Sequence, residues 1–228
     1  GVGADAIIDS FDSGAQFESH TGGGGSYVSA PTVLGGFRHL HVVSTTATVS
    51  GTAPGNISAS GDSGQTTRID LSYGSYVSGF GASDWNLDLS GESEITFAFE
   101  SLSGDARIDS IQLFGDGIND VWIQQTIVSL SASASPFTAT VDFSLFGASG
   151  GSEPDLNTFL QDVDGMLIYV IGNDDIEFEI SEISFGEAGA SASALTVPGT
   201  FALISLGIMS VLRTRKRIEV APNTNTST

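Results

Sequence analysis

The fold is decided by an alternating stretch, which reads Glu94-Ile95-Thr96-Phe97-Ala98-Phe99-Glu100. Apolar side chains occupy every second position, so a strand here presents one face to a core and the other to solvent. The same alternation recurs in 137–145 and in 176–180. These stretches predict strands that are buried on one face only.

Outward from this stretch, the chain contains roughly ten to twelve short strands separated by glycine-rich turns. Within the body of the chain, residues 155–163, which follow Pro154, are the one candidate helix, with apolar side chains on one side. The pattern predicts an all-β protein, an antiparallel β-sandwich of jelly-roll-like topology with one short helix. A parallel β-helix would need a repeat of fixed period, and the sequence has none.

The chain divides into four parts. Residues 1–187 form the predicted β-sandwich ectodomain, and residues 188–196 form a linker of Ala, Ser and Gly that we expect to be flexible. Residues 197–217 form an apolar segment with a basic end, and residues 218–228 form a polar tail. The chain has no cysteine, which excludes disulfides and cysteine metal sites.

The apolar run 201–212 contains only two polar side chains, Ser205 and Ser210. A full membrane crossing takes about 20 residues, and roughly 17 is a lower bound. A buried core helix is the alternative, but an amphipathic helix would show a polar face that this run lacks. The sequence therefore favours a single C-terminal hydrophobic helix that engages a membrane and keeps its basic end on the cytoplasmic side.

This C-terminal segment resembles the PEP-CTERM sorting signal of Gram-negative bacteria. The resemblance lies in the order Val-Pro, Gly-Thr-Phe-Ala-Leu, apolar helix and Arg-rich end, although the Glu-Pro pair of the family is missing and a polar tail follows. The residues that carry the signal are Val197, Pro198, Gly199, Thr200, Arg213, Arg215, Lys216 and Arg217. The resemblance implies recognition by an exosortase-like membrane protease, at least transient membrane anchoring, and an extracellular or outer-surface location. The start at Gly1 rather than Met fits removal of an export signal.

The body also resembles those of exported PEP-CTERM proteins, which are similar to carbohydrate-binding jelly rolls. The resemblance rests on three short segments, 8–11, 33–38 and 85–89. It implies a sandwich and does not by itself imply a function.

Charge excludes one class of partner. The chain has 27 acidic and 7 basic residues, and four of the basic residues lie in 213–217. Such an acidic body repels nucleic acid and anionic lipid, so we expect no nucleic-acid partner.

The histidines and paired carboxylates of the sequence favour a non-catalytic protein. His39 and His41 share one face of a strand, as a two-imidazole metal site requires, but two solvated histidines are the simpler interpretation. Glu177 and Glu179 alternate with apolar residues, which is typical of the solvent face of a sheet. No His-Glu-x-x-His motif is present.

Calcium is the one cofactor that the sequence suggests, because three acidic loops offer oxygen ligands. Plain turns are the alternative, since Asp and Asn beside Gly are ordinary turn residues. The candidate ligands are Asp116, Asn119, Asp120, Asp162, Asp164, Asp174 and Asp175.

Two functions follow. The first is an exported, non-catalytic cell-surface or extracellular-matrix protein, a component of an envelope, biofilm or filament. The alternative is a surface-displayed carbohydrate-binding module that binds extracellular polysaccharide. Its candidate sugar-stacking rings are Tyr73, Tyr76, Trp85 and Trp122, of which the two tryptophans also suit a core. Open sandwich edges further predict homo-oligomers or filaments.

Overall fold

Two antiparallel sheets packed face to face form the body. The computed structural model describes residues 6–61, 64–75, 84–116, 118–151, 155–173 and 175–187. Within these residues the predicted antiparallel β-sandwich is confirmed. Successive strands repeatedly change sheets, as in jelly rolls.

The first sheet has seven strands in the order β12-β8-β15-β6-β5-β2, with β1 paired to β15. Its strands are β1 (Ala6–Asp9), β2 (Gln16–His20), β5 (Thr45–Val49), β6 (Ile57–Gly61), β8 (Glu94–Leu102), β12 (Phe137–Asp142) and β15 (Glu177–Gly186).

The second sheet has eight strands in the order β13-β10-β9-β14-β7-β4-β3, with β11 paired to β9. Its strands are β3 (Gly24–Ser29), β4 (Phe37–Val43), β7 (Thr67–Gly74), β9 (Ala106–Gly115), β10 (Asp120–Gln124), β11 (Val128–Leu130), β13 (Phe146–Gly150) and β14 (Gly165–Gly172).

The core lies between the two sheets. Ile95, Phe97 and Phe99 of β8 are fully buried, as their alternation predicts, and they face the apolar side chains of the second sheet. Phe99 also stacks on Phe137, with ring centroids 4.8 Å apart. Burial of apolar area of this kind is the main favourable contribution to folding.

The predicted helix is shorter than its sequence pattern. Only Leu156–Phe159 is helical (α1), and Asp155 caps its start by accepting a hydrogen bond from the Asn157 N–H. Val163 then forms a β-bridge with Leu87. The apolar spacing of 155–163 therefore reflects core burial on both sides of a turn rather than one continuous helix.

Two predicted strands also end early. The stretch 121–130, whose composition favours one long strand, is divided into β10 and β11, and the alternating stretch 137–145 becomes β12 followed by a 3-10 helix (Phe143–Leu145). Asp142 starts this helix, because its carboxylate accepts a hydrogen bond from the Ser144 N–H at 2.6 Å. The strand β2 was not predicted, since Phe17 is its only large apolar residue.

No helix among the described residues has the length and apolarity to cross a membrane. The predicted linker 188–196, the sorting segment 197–217 and the tail 218–228 lie outside the described residues.

Candidate ligand-binding face

The outer face of the second sheet carries a row of rings and charges that crosses four neighbouring strands. Backbone register places these side chains on the same face: Tyr27 lies opposite His39, His41 opposite Asp70, and Asp70 opposite Tyr169. Arg68 is two residues from Asp70 on the same strand and therefore on the same face. We call this set the aromatic–charged band, and its members are Tyr27, His39, His41, Arg68, Asp70 and Tyr169.

One end of the band is a stacked pair of rings. Tyr27 on β3 and His39 on β4 have ring centroids 4.0 Å apart and planes inclined by 18°. The tyrosine side chain is 37% exposed although it is a large ring. The stack fixes the orientation of Tyr27 at the edge of the sheet while leaving part of the ring open to solvent.

Asp70 lies at the centre of the band. Its two carboxylate oxygens accept hydrogen bonds from Arg68 Nε at 2.5 Å and from Arg68 Nη2 at 2.7 Å. The ring of His41 lies 3.1 Å from the same carboxylate through Nδ1. The Asp70 side chain itself is only 9% exposed, so it acts as a fixed anchor for two more exposed neighbours.

The other end of the band joins a charge to a second tyrosine. The Arg68 guanidinium lies over the Tyr169 ring, 4.1 Å from its centroid. This is a cation–π arrangement, and the planar guanidinium suits it. Hydrogen bonding to Asp70, which outweighs partial burial, raises the pKa of Arg68 above its ordinary value, so the group stays charged.

A cleft of about 280 Å³ continues the face beyond Tyr169. Arg107, Ser129 and Ile171 lie opposite one another on β9, β11 and β14 and contribute its outward side chains. Arg107 Nε donates a hydrogen bond to Asp109 at 2.7 Å. The open face therefore extends from the β3 edge to the β11 edge of the sheet.

Histidine protonation is set by the surroundings of the band. Burial, together with the neighbouring His41, lowers the pKa of His39 below its ordinary value, although Asp70 and Glu18 act in the opposite direction. His39 is therefore neutral at pH 7, and its stack on Tyr27 is between uncharged rings.

Three of the four rings predicted to stack on sugars are inside the protein. Tyr73 is fully buried, Trp85 is 9% exposed and Trp122 is 7% exposed. Trp85 donates a hydrogen bond from Nε1 to the Leu34 carbonyl at 3.0 Å. The prediction of a sugar-stacking role is wrong for these three residues, because packing covers their ring faces. Tyr76 lies outside the described residues.

Part of the predicted calcium set is brought together. Asp116, Asp120 and Asp162 line one small pocket of about 130 Å³. Burial, followed by repulsion from Asp164 and other carboxylates, raises the pKa of Asp162 above its ordinary value. Among the described residues, however, no group of three or more His, Cys, Asp or Glu side chains has the arrangement of a metal site.

The remaining calcium candidates have other positions. Asn119 donates a hydrogen bond from Nδ2 to the Asp116 carbonyl at 2.8 Å, as in an ordinary turn. Asp164 is buried, and its carboxylate accepts a hydrogen bond from the Asn86 N–H at 3.3 Å. Asp175 is exposed in the turn before β15, and Asp174 lies outside the described residues. Calcium binding stays a prediction.

Comparison with known proteins adds structural matches only. No protein-family model matches the chain, and no curated protein matches its sequence. The family 11 carbohydrate-binding module of the cellulosomal cellulase Lic26A-Cel5E of Clostridium thermocellum is similar in structure: the match has 17% identity and a TM-score of 0.44, and covers 81% of this chain and 95% of that one. The solution structure of CtCBM11 matches with 18% identity, a TM-score of 0.47 and the same coverage. An exo-β-agarase matches with 10% identity and a TM-score of 0.43, over 65% of this chain and 23% of that one.

Proposed function

We propose that this chain is a non-catalytic carbohydrate-binding module that binds a neutral polysaccharide along the aromatic–charged band. The observation that carries the proposal is the display of two tyrosine rings and a fixed Arg68–Asp70 pair on one open sheet face. Aromatic rings offer an apolar surface to the C–H face of a sugar, and the charged groups offer hydrogen bonds to its hydroxyls.

The span of the band supports a chain ligand rather than a single sugar. Tyr27 lies on β3 and Tyr169 on β14, three strands apart in the sheet. At a strand spacing of about 4.8 Å, the two rings are separated by roughly 14 Å across the strands. One sugar ring cannot reach both tyrosines, so the ligand that uses the whole band contains several units.

Charge supports a neutral ligand. Arg68 is paired with Asp70, and Arg107 with Asp109, so both arginines of this face already have a counter-charge. The chain as a whole has a formal net charge of −20 at pH 7. An anionic polysaccharide would meet long-range repulsion and no unpaired arginine on this face.

If Tyr27 is replaced by Ala, we expect the affinity for polysaccharide to fall about tenfold, because a preorganised stacking surface is lost. Isothermal titration against soluble neutral polysaccharides (mixed-linkage β-glucan, xylan, galactomannan) measures the effect. Ile118→Ala, which also removes an exposed apolar side chain, is the control and should bind like the wild type. If the wild type bound none of these neutral polysaccharides, the result would contradict the proposal.

We also propose that the module is exported and displayed at the surface or in the extracellular matrix. The support is the segment 197–217, whose order of parts resembles a PEP-CTERM sorting signal. In this proposal an exosortase-like membrane protease processes the segment, and the outer face of the second sheet is presented to extracellular polysaccharide.

The mass of the native protein tests this export. Intact-mass spectrometry of protein recovered from outside the producing cells should show a chain that ends before Phe201. If the chain were recovered only from the cytosol, with its 197–217 segment uncut, the result would contradict both processing and export.

A further inference from the structure

The outer face of the first sheet carries a groove of about 310 Å³, on the side of the molecule opposite the aromatic–charged band. Ligand sites in proteins begin at about this volume. The groove runs over β5, β6 and β15, and its lining side chains include Thr46, Thr48, Ser58, Ser60, Glu177 and Glu179.

Hydrogen-bonding groups dominate this groove. Ser58 lies opposite Glu179, and Ser60 lies opposite Glu177, so each carboxylate has a hydroxyl beside it. Thr48, Ser58 and Ser60 each place a hydroxyl at the lining of the groove. Each can therefore both donate to and accept from a ligand.

The two carboxylates select the charge of the ligand. Glu179 accepts a hydrogen bond from Asn56 Nδ2, which holds its position at the end of the groove. Lys, Arg and His are absent from the described lining residues. Anions are therefore repelled, whereas ligand hydroxyls that donate to Glu177 and Glu179 form charge-assisted hydrogen bonds.

An exposed aromatic ring lies next to the groove. Phe17 on the edge strand β2 is 67% exposed, more than any other large apolar side chain among the described residues. It lies directly opposite Thr48, which lines the groove, so the ring is within side-chain reach of a ligand there. The hydroxyls and carboxylates of the lining favour a polar ligand, and the Phe17 ring adds an exposed apolar surface on which a sugar can stack.

We propose that this groove is a second carbohydrate site, which binds a neutral sugar chain with Phe17 as its stacking platform. The groove stands on its own residues and does not depend on the aromatic–charged band. If both sites bind, one molecule holds two polysaccharide chains on opposite faces, and this crosslinking rests on the proposed function.

The test uses the full chain with the aromatic–charged band weakened. In an Asp70→Ala background, affinity gel electrophoresis against mixed-linkage β-glucan, xylan, galactomannan and agarose should still show retardation by at least one polysaccharide. Adding Phe17→Ala should weaken that residual binding about threefold to tenfold. Adding Ser60→Arg, which fills the groove at an exposed position, should abolish it. Adding Ile118→Ala should change nothing.

The outcomes separate the two sites. Loss of all binding in Asp70→Ala alone would overturn the groove proposal and leave the band as the site. If Phe17→Ala or Ser60→Arg alone abolished polysaccharide binding, whereas Asp70→Ala alone left it unchanged, the result would support the groove and overturn the band. If Asp70→Ala bound poly-lysine but no neutral polysaccharide, the groove would be a cation site and the groove proposal would be overturned.

Discussion

Replacing Arg38 with Ala should lower the free energy of unfolding by about 3–5 kcal/mol, because removal of one partner leaves a buried charge uncompensated. The Arg38 and Asp9 side chains are both fully buried. Nε and Nη2 of the guanidinium donate to the two carboxylate oxygens of Asp9 at 2.6 and 2.8 Å. Burial disfavours the charge, but Asp9 outweighs it and holds the pKa of Arg38 above its ordinary value.

The pair belongs to a larger network that joins the two sheets. Asp9 ends β1 in the first sheet, whereas Arg38 on β4 and Tyr73 on β7 belong to the second. The Tyr73 hydroxyl donates to Asp9 at 3.0 Å, and Arg38 Nη1 donates to the Gly14 carbonyl at 2.9 Å and to Gln16 Oε1 at 3.2 Å. Burial and the charge of Asp9 raise the pKa of Tyr73 well above its ordinary value, so the phenol remains a donor.

Urea unfolding, monitored by tryptophan fluorescence, measures the change in the free energy of unfolding that Arg38→Ala causes. Arg107→Ala is the matched control, because it removes an arginine from an exposed pair, and we expect it to cost at most about 1 kcal/mol. The double variant Asp9→Leu/Arg38→Met should lose less than the sum of the single losses, because it leaves no unpaired buried charge. If Arg38→Ala and Arg107→Ala lowered the free energy of unfolding by the same amount, the result would contradict the structural role of the network.

The sandwich could be predicted from the sequence because its strands alternate locally. Ile95, Phe97 and Phe99 are fully buried, and the pattern of 94–100 alone is sufficient to show which face they occupy. The sequence does not predict β2, because its apolar residue Phe17 points outward and its buried positions are the polar residues Gln16 and Glu18. Alternation locates a strand only where the buried face is apolar.

The candidate site could not be predicted in the same way. Its residues come from four strands, and Tyr27 is far from Tyr169 along the chain although both lie on one face. By residue type, Tyr73 and the two tryptophans are candidate stacking rings, with a core position as the alternative for the tryptophans, and all three fill the core. The type of a residue shows that it can bind a sugar, but only the register of the sheet shows whether its ring faces solvent.

Replacing Asp70 with Ala should reduce polysaccharide affinity at the aromatic–charged band about tenfold to a hundredfold. Asp70 fixes Arg68 through two hydrogen bonds and contacts His41 through a third. A hydrogen bond between a ligand hydroxyl and a charged group contributes about 1.5–3 kcal/mol. Loss of one such bond to the ligand is enough for this change in affinity. Without Asp70, the guanidinium is no longer held over the Tyr169 ring, and it must be ordered again each time a ligand binds.

Isothermal titration with the polysaccharide that binds the wild type measures the change, and thermal unfolding checks that the sandwich is intact. Glu187→Ala is the control, because it removes one carboxylate at an exposed position just after β15 and changes the net charge equally. Because the proposed ligand is neutral, the affinities of the wild type and of Glu187→Ala should be nearly independent of salt. If Asp70→Ala bound as tightly as Glu187→Ala, the band would not be the main site. A steep decrease of wild-type affinity with salt would instead indicate a charged ligand.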